Sequence, residues 1–182
     1  EGQGASRDEA QAADWFRRAA EQGHTAAQFN LAMAYREGRG VSKDDAEAAK
    51  WCMKAAEQGN DRAQVMLGFM YSDGRGLQQD QRLAAGWFQK AAQQGHVGGQ
   101  YMLARSYLLG EGVSKDERKA VEWYRKSADG GNPMAQLALA KLFGSGRGVT
   151  KSERQAFEWG LKAAEQGSAE AQHLVGLYYR MG

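Results

Sequence analysis

Few stretches of this sequence have side chains whose types and spacing could do chemistry. The most suggestive is Gly144-Ser145-Gly146-Arg147-Gly148-Val149-Thr150-Lys151-Ser152. Glycines followed by lysine and a hydroxyl residue cradle phosphate in nucleotide-hydrolysing enzymes, where successive backbone N–H groups point at the phosphates. That geometry needs glycine immediately before Lys-Ser/Thr, and Thr150 stands there instead. His173 is a lone histidine with no acid or nucleophile at a telling distance. Cys52, the only cysteine, excludes an intramolecular disulfide framework and a cysteine-rich zinc site. The expectation is a chain without catalytic residues, cofactor or metal.

The loop makes better sense when its copies are counted. Gly38-Arg39-Gly40-Val41-Ser42-Lys43 nearly repeats Gly146 to Lys151, and Gly74-Arg75-Gly76-Leu77 and Gly110-Glu111-Gly112-Val113-Ser114-Lys115 are two more. The first glycines stand 36 residues apart, as do the five tryptophans Trp15, Trp51, Trp87, Trp123 and Trp159. Gly23, Gly59, Gly95, Gly131 and Gly167 keep the step, and so do Gln28, Gln64, Gln100, Gln136 and Gln172. A feature repeated without insertion or deletion is architecture before it is chemistry.

Residues 44 to 76 illustrate one unit. Asp44 and Glu47 read as a capping box, with Asp8/Gln11 and Ser152/Gln155 as its copies. Ala48, Trp51, Cys52 and Ala55 follow helical spacing, and Gly59 supplies the left-handed stop. A second helix starts at the cap Asn60; its equivalent Asn132 precedes Pro133, the only proline, at a first helical position where proline is welcome. Ala63, Leu67, Gly68 and Tyr71 form its apolar stripe. A helix pair of this kind cannot bury its apolar face alone, whereas a stack can. The pattern predicts an all-α solenoid of five 36-residue helix-turn-helix units, with bounds near 8–43, 44–79, 80–115, 116–151 and 152–182. Residues 1–7 read as the loop of a preceding unit, which suggests a piece of a longer protein. Unit three should be locally soft, because Gly98-Gly99 begins its second helix.

The composition narrows the partners. Formal net charge is +2, from 24 basic and 22 acidic residues, so nucleic acid has no electrostatic case. No apolar run approaches the roughly 20 residues that span a bilayer, so no membrane insertion is expected. His24 and His96 take the slot of Asn60, Asn132 and Ser168 and should cap helices. Cys52 replaces Phe16, Phe88 and Tyr124 and should be a packing residue, and the tryptophans should be core.

The pattern Asp-x3-Ala-x2-Trp-[Phe/Tyr]-x-Lys-Ala-Ala-x2-Gly-x3-Ala-Gln-x2-Leu-[Gly/Ala]-x2-Tyr-x2-Gly-x-Gly-Val resembles the Sel-one-like repeat (SLR), a longer-looped relative of the tetratricopeptide repeat. The resemblance covers essentially the whole chain. It implies a right-handed superhelix whose concave surface docks proteins or peptides, in adaptors that are often periplasmic or exported, or in immunity proteins for secreted toxins. A cysteine-rich branch of the family is linked to β-lactams; this chain lacks its paired cysteines, so that activity is not carried over, and a β-lactam-associated hydrolase-like or ligand-binding role and a purely structural spacer are the alternatives to the scaffold.

In tetratricopeptide-like stacks the second helix lines the concave side. The outward positions there are Phe29, Met33 and Arg36, then Val65, Phe69 and Ser72, then Tyr101, Arg105 and Leu108, with Leu137, Lys141, His173, Leu177 and Arg180 completing the set. Phe29, Met33, Arg36, Phe69, Tyr101, Arg105, Lys141 and Leu177 are the expected partner-binding residues, an apolar strip dotted with cations that suits a peptide with some acidic residues. Apolar faces at the two ends predict some self-association, because solenoids ordinarily close with polar caps.

Overall fold

The computed structural model describes residues 8–181, so the loop remnant expected over residues 1–7 lies outside the described residues. Ten helices of 13 residues follow one another, and no strand occurs among the described residues. The first helices of the pairs are α1 (Glu9–Glu21), α3 (Asp45–Glu57), α5 (Gln81–Gln93), α7 (Glu117–Asp129) and α9 (Glu153–Glu165). The second helices are α2 (Thr25–Glu37), α4 (Asp61–Asp73), α6 (Val97–Leu109), α8 (Pro133–Ser145) and α10 (Ala169–Met181). The chain divides into two compact units, Glu1–Trp87 and Phe88–Gly182, with the division inside α5.

The turn inside each pair is as short as backbone chemistry allows. At the end of α3, Gly59 adopts φ 90° and donates its N–H to the Ala56 carbonyl at 3.1 Å, while Asn60 N–H reaches back to Ala55 at 3.1 Å. These two bonds satisfy carbonyls that the helix end would leave open. Asn60 is also the cap of α4, its side chain accepting the Ala63 N–H at 2.8 Å. One residue thus closes one helix and opens the next. His24 and His96 do the same through Nδ1, which accepts from Ala27 and Gly99 at 3.1 Å in each case.

The repeated glutamine has a structural cause that its spacing did not reveal. Gln64 Nε2 donates to the Ala56 carbonyl at 3.1 Å, and Gln28 and Gln136 bond to Ala20 and Ala128 in the same way, both at 3.2 Å. Each buried amide therefore ties the start of a second helix to the last turn of the first. Gln58 then donates to Gln28 at 2.9 Å and Gln166 to Gln136 at 2.8 Å, linking consecutive pairs.

The longer loop is folded onto its own pair. Gly40 has φ 69°, and a Cβ there would run into the backbone carbonyl of Glu9; Gly76 lies against Asp45 in the same fashion. Asp44 caps α3 by accepting from the Ala46 and Glu47 N–H groups at 2.9 and 3.0 Å. The capping box expected here is only half made. Asp44 N–H is already donated to the Tyr35 carbonyl at 3.0 Å, and the Glu47 carboxylate turns outward to Lys50 at 3.0 Å.

Leu31 and Leu67 are fully buried in unit one and Leu103 and Leu139 in unit two, with alanines from both helices packed around them. Such small neighbours let helices approach closely, and Gly99 shows the limit: a Cβ there would stand 2.8 Å from Ala91 Cβ.

Candidate functional site

The second helices hold the expected partner-binding residues, and packing sorts them into separate places. In unit one, Phe29 and Met33 are half-buried against the core and line a cavity of ≈ 390 Å³ with Ala12, Ala13 and Phe16 of α1. Arg36 and Phe69 meet at a second cavity of ≈ 240 Å³, walled by Met66 and Met70. Phe69 stays 42% exposed, an open apolar surface between α2 and α4. The cations here are already matched: Arg36 lies 2.8 Å from Glu37, and Arg75 lies 3.2 Å from Asp73.

In unit two, Tyr101 and Lys141 line one cavity of ≈ 410 Å³ with Leu108, Met134, Leu137 and Leu142. Tyr101 is half-buried because its ring leans on Tyr124 of α7, with centroids 5.6 Å apart. Burial raises the Tyr124 phenol well above its ordinary pKa, which keeps that ring a neutral wall. Lys141 is paired with Glu170 of α10 at 2.6 Å. Arg105 is exposed on α6, one turn beyond Tyr101. Arg105 and Leu177 stand outside these three cavities. Met66, Met134 and Leu142 were missed as lining residues, because only the packing of neighbouring second helices shows which side of each helix stays open.

The remaining chemical candidates are absorbed by structure. Cys52 is buried, its Sγ donates to the Ala63 carbonyl at 3.2 Å, and burial pushes the thiol pKa up to about 12. A thiol so placed is a packing residue and a poor nucleophile. His173 is exposed on α10. The Gly144–Ser152 loop ends α8 and starts α9, and Arg147 there binds Glu117 at 2.6 Å. No group of three or more His, Cys, Asp or Glu among the described residues could hold a metal ion.

The tryptophans correct the sequence reading. Trp51 is 6% exposed, as a core residue should be, but Trp15 is 65% exposed and Trp87, Trp123 and Trp159 are half-buried. Trp87, Trp123 and Trp159 lean on the core by one side only, and at Trp15, Trp51, Trp123 and Trp159 the cation one turn on lies over the ring. Lys54, Lys126 and Lys162 sit 4.2, 4.1 and 4.2 Å from the ring centres of Trp51, Trp123 and Trp159, and Arg18 lies 4.7 Å from that of Trp15. A repeated Trp-x-x-Lys spacing reflects a cation with its stem laid over an aromatic face.

With this geometry in hand, the likeness to known proteins is direct. Sel1 repeats match residues 1–24, 25–60, 61–96, 97–132 and 133–168. The chain belongs to the Sel1-repeat family. It is an all-α solenoid of such repeats, and the family's repeat runs from a second helix into the next first helix with the same step. This Sel1-repeat chain is 41% identical to a protective antigen present in uropathogenic Escherichia coli strains that displays an SLR fold, with a TM-score of 0.93 over 97% of this chain. It spans 38% of that antigen's length. A Sel1 repeat protein from Oxalobacter formigenes is 37% identical, with a TM-score of 0.88 over 98% of this chain and 73% of its own. An immunity protein from Pseudomonas aeruginosa shares the fold at 22% identity, with a TM-score of 0.57 over 92% of this chain and 62% of its own. No curated protein matches the Sel1-repeat chain.

Proposed function

We propose that this Sel1-repeat protein is a non-enzymatic scaffold that docks a protein or peptide on the second helices of each compact unit. The observation that carries this reading is the lining of the three cavities beside the second helices: most of their residues are apolar and change from repeat to repeat, whereas the hollow over Trp159 on the first helices is walled mainly by charged side chains and that at Gly146–Thr150 by the loop. Phe69 in unit one and Tyr101, Leu137 and Met134 in unit two give that face apolar walls, and Met, Phe, Tyr and Arg are residue types that interfaces favour. A structural spacer has no use for apolar surface left open on its second helices. A β-lactam-type ligand role has no support from Cys52, which is buried and bonded. Envelope adaptor and toxin-immunity protein are the two narrower roles that fit, since each needs only a surface that recognises one protein.

The test is a pull-down with the intact protein and mass spectrometry, followed by titration of the partner found. Replacing Phe69 and Arg105 together by alanine should weaken binding at least about tenfold, near 1.4 kcal/mol, and leave helicity and Tm unchanged. If Trp15→Ala abolishes binding and the double variant does not, the face is wrong. Turnover of a small molecule with no protein partner would overturn the scaffold reading itself. Self-association through the apolar surface beside Phe16 and Met33 would compete for the α1–α2 cavity, and sedimentation velocity at several concentrations separates it from partner binding.

A further inference from the structure

The charges on the second helices of unit two are unevenly shared. Helices α6, α8 and α10 carry three cations, Arg105, Lys141 and Arg180, against a single acid, Glu170. That acid is not a neighbour of Lys141 along the chain: it belongs to the next second helix and reaches across to put Oε1 2.6 Å from Lys141 Nζ. Both partners are exposed, at 53% and 63% of their side-chain surface. The ion pair sits on the rim of the ≈ 410 Å³ cavity whose floor and walls come from Tyr101, Leu108 and Leu137. Arg105 lies on the same face of α6 as Tyr101 and Leu108, four residues after one and three before the other, and no carboxylate among the described residues pairs with it.

We propose that this cavity recognises a partner's peptide segment in which a large apolar side chain stands next to an aspartate or glutamate, and that Glu170 occupies the carboxylate's place until the partner arrives. The proposal rests on the docking reading above and specifies it. The apolar side chain enters between Tyr101, Leu108 and Leu137. The partner's carboxylate takes Lys141 from Glu170, and further acids along the segment meet Arg105. An exposed ion pair contributes at most about 1 kcal/mol, so the exchange of one carboxylate for another at Lys141 is nearly neutral; the apolar contact carries most of the affinity, and Arg105 favours a segment that brings an acid. A partner without an acid would leave Glu170 in place and gain only the apolar contact.

The experiment uses the intact protein and a phage-displayed library of random dodecapeptides. Selected sequences should place Phe, Tyr, Trp, Leu or Met beside Asp or Glu. For the best peptide, Glu170→Gln, which removes the internal competitor, should strengthen binding by up to about fivefold, Lys141→Gln alone should leave it nearly level, and adding Lys141→Gln to Glu170→Gln should remove the gain. The gain from Glu170→Gln separates recognition from mere support of the fold, because a structural role would give a loss. Both residues are exposed, and circular dichroism checks that the variants stay folded. Peptides selected without acids, or an affinity that falls or stays level in Glu170→Gln, overturn this inference while leaving the docking face intact. No selected peptide, or binding that depends on Trp159 and not on Tyr101, overturns both. Preferential binding of an oligonucleotide to this face also overturns it.

Discussion

On the second helices of unit one, Met33, Met66 and Phe69 stand beside cations that are matched within a residue or two, Arg36 with Glu37 and Arg75 with Asp73. On those of unit two, Tyr101, Leu108 and Leu137 stand beside Arg105, which has no carboxylate partner among the described residues, and Lys141, whose partner comes from another helix. Helices α2, α4, α6 and α8 are the same length, end on a left-handed glycine and bury a leucine in the same register. The contrast teaches where the repeats of this chain are free to differ. Positions fixed by the backbone, such as Gly59 or Gln64, cannot vary without opening a helix end, whereas positions facing the open side are left for chemistry. Unit one offers soft, deformable methionine surface of a kind suited to adaptable contacts, and unit two offers aromatic walls with exchangeable charge.

The largest effect should erase the contrast. Leu67→Ala and Leu139→Ala remove the same fully buried side chain from unit one and unit two, and each should cost about 2–5 kcal/mol. Chemical denaturation measures both; a loss confined to one unit would mean the shared skeleton is not equally important in the two.

A smaller effect should sharpen it. Once a partner is in hand, Phe69→Ala and Arg105→Ala can be compared at low and at high salt. The Arg105 defect should shrink as salt rises, because exposed charges are screened over about 10 Å at 0.1 M, and the Phe69 defect should persist. Equal salt sensitivity would remove the distinction between a deformable apolar surface and a charged one.

The smallest effect concerns the loops. Arg147 in unit two bridges to Glu117 of α7 and, by donating to it, holds that carboxyl below its usual range, whereas Arg75 in unit one turns to Asp73 beside it. A carboxyl depressed in the folded state stabilises above its unfolded value of about 4.3 and loses that contribution as pH falls through the folded value. In Arg147→Ala the Glu117 titration, followed by NMR, should move up toward the ordinary range, and the stability difference from the parent protein should vanish in acid. Arg75→Ala should change the acid limb of the stability curve less.

Much of the molecule was legible in its sequence because backbone chemistry is local. Helix ends leave open N–H and carbonyl groups within a turn of the end, so Gly59, Asn60, Asp44 and Pro133 announce where helices stop and start whatever surrounds them. The unbroken step of Trp, Gly and Gln gave the repeat, and repetition made stacking the only way to bury each apolar stripe. His24, His96 and Cys52 were read correctly because the other repeats show which role their slots serve.

Contacts between one helix or loop and another were decided by tertiary structure alone. The capping box failed because Tyr35 accepts the N–H that Glu47 was expected to take. The tryptophans were misplaced because helical spacing says which residues share a face and not how much of a large ring the neighbouring helix covers; Trp15 and Trp51 occupy one register and differ tenfold in exposure, at 65% and 6%. Phe29 and Met33 proved to be cavity walls against the core, while Phe69, in Met33's register, stayed open. Lys141, expected as a cation of the binding strip, is held by Glu170 of α10. The sequence determined each helix and its ends because those depend on neighbours along the chain; the packing of second helix on second helix decided which side chains face one another, because that distance is set by the volumes of every residue between them.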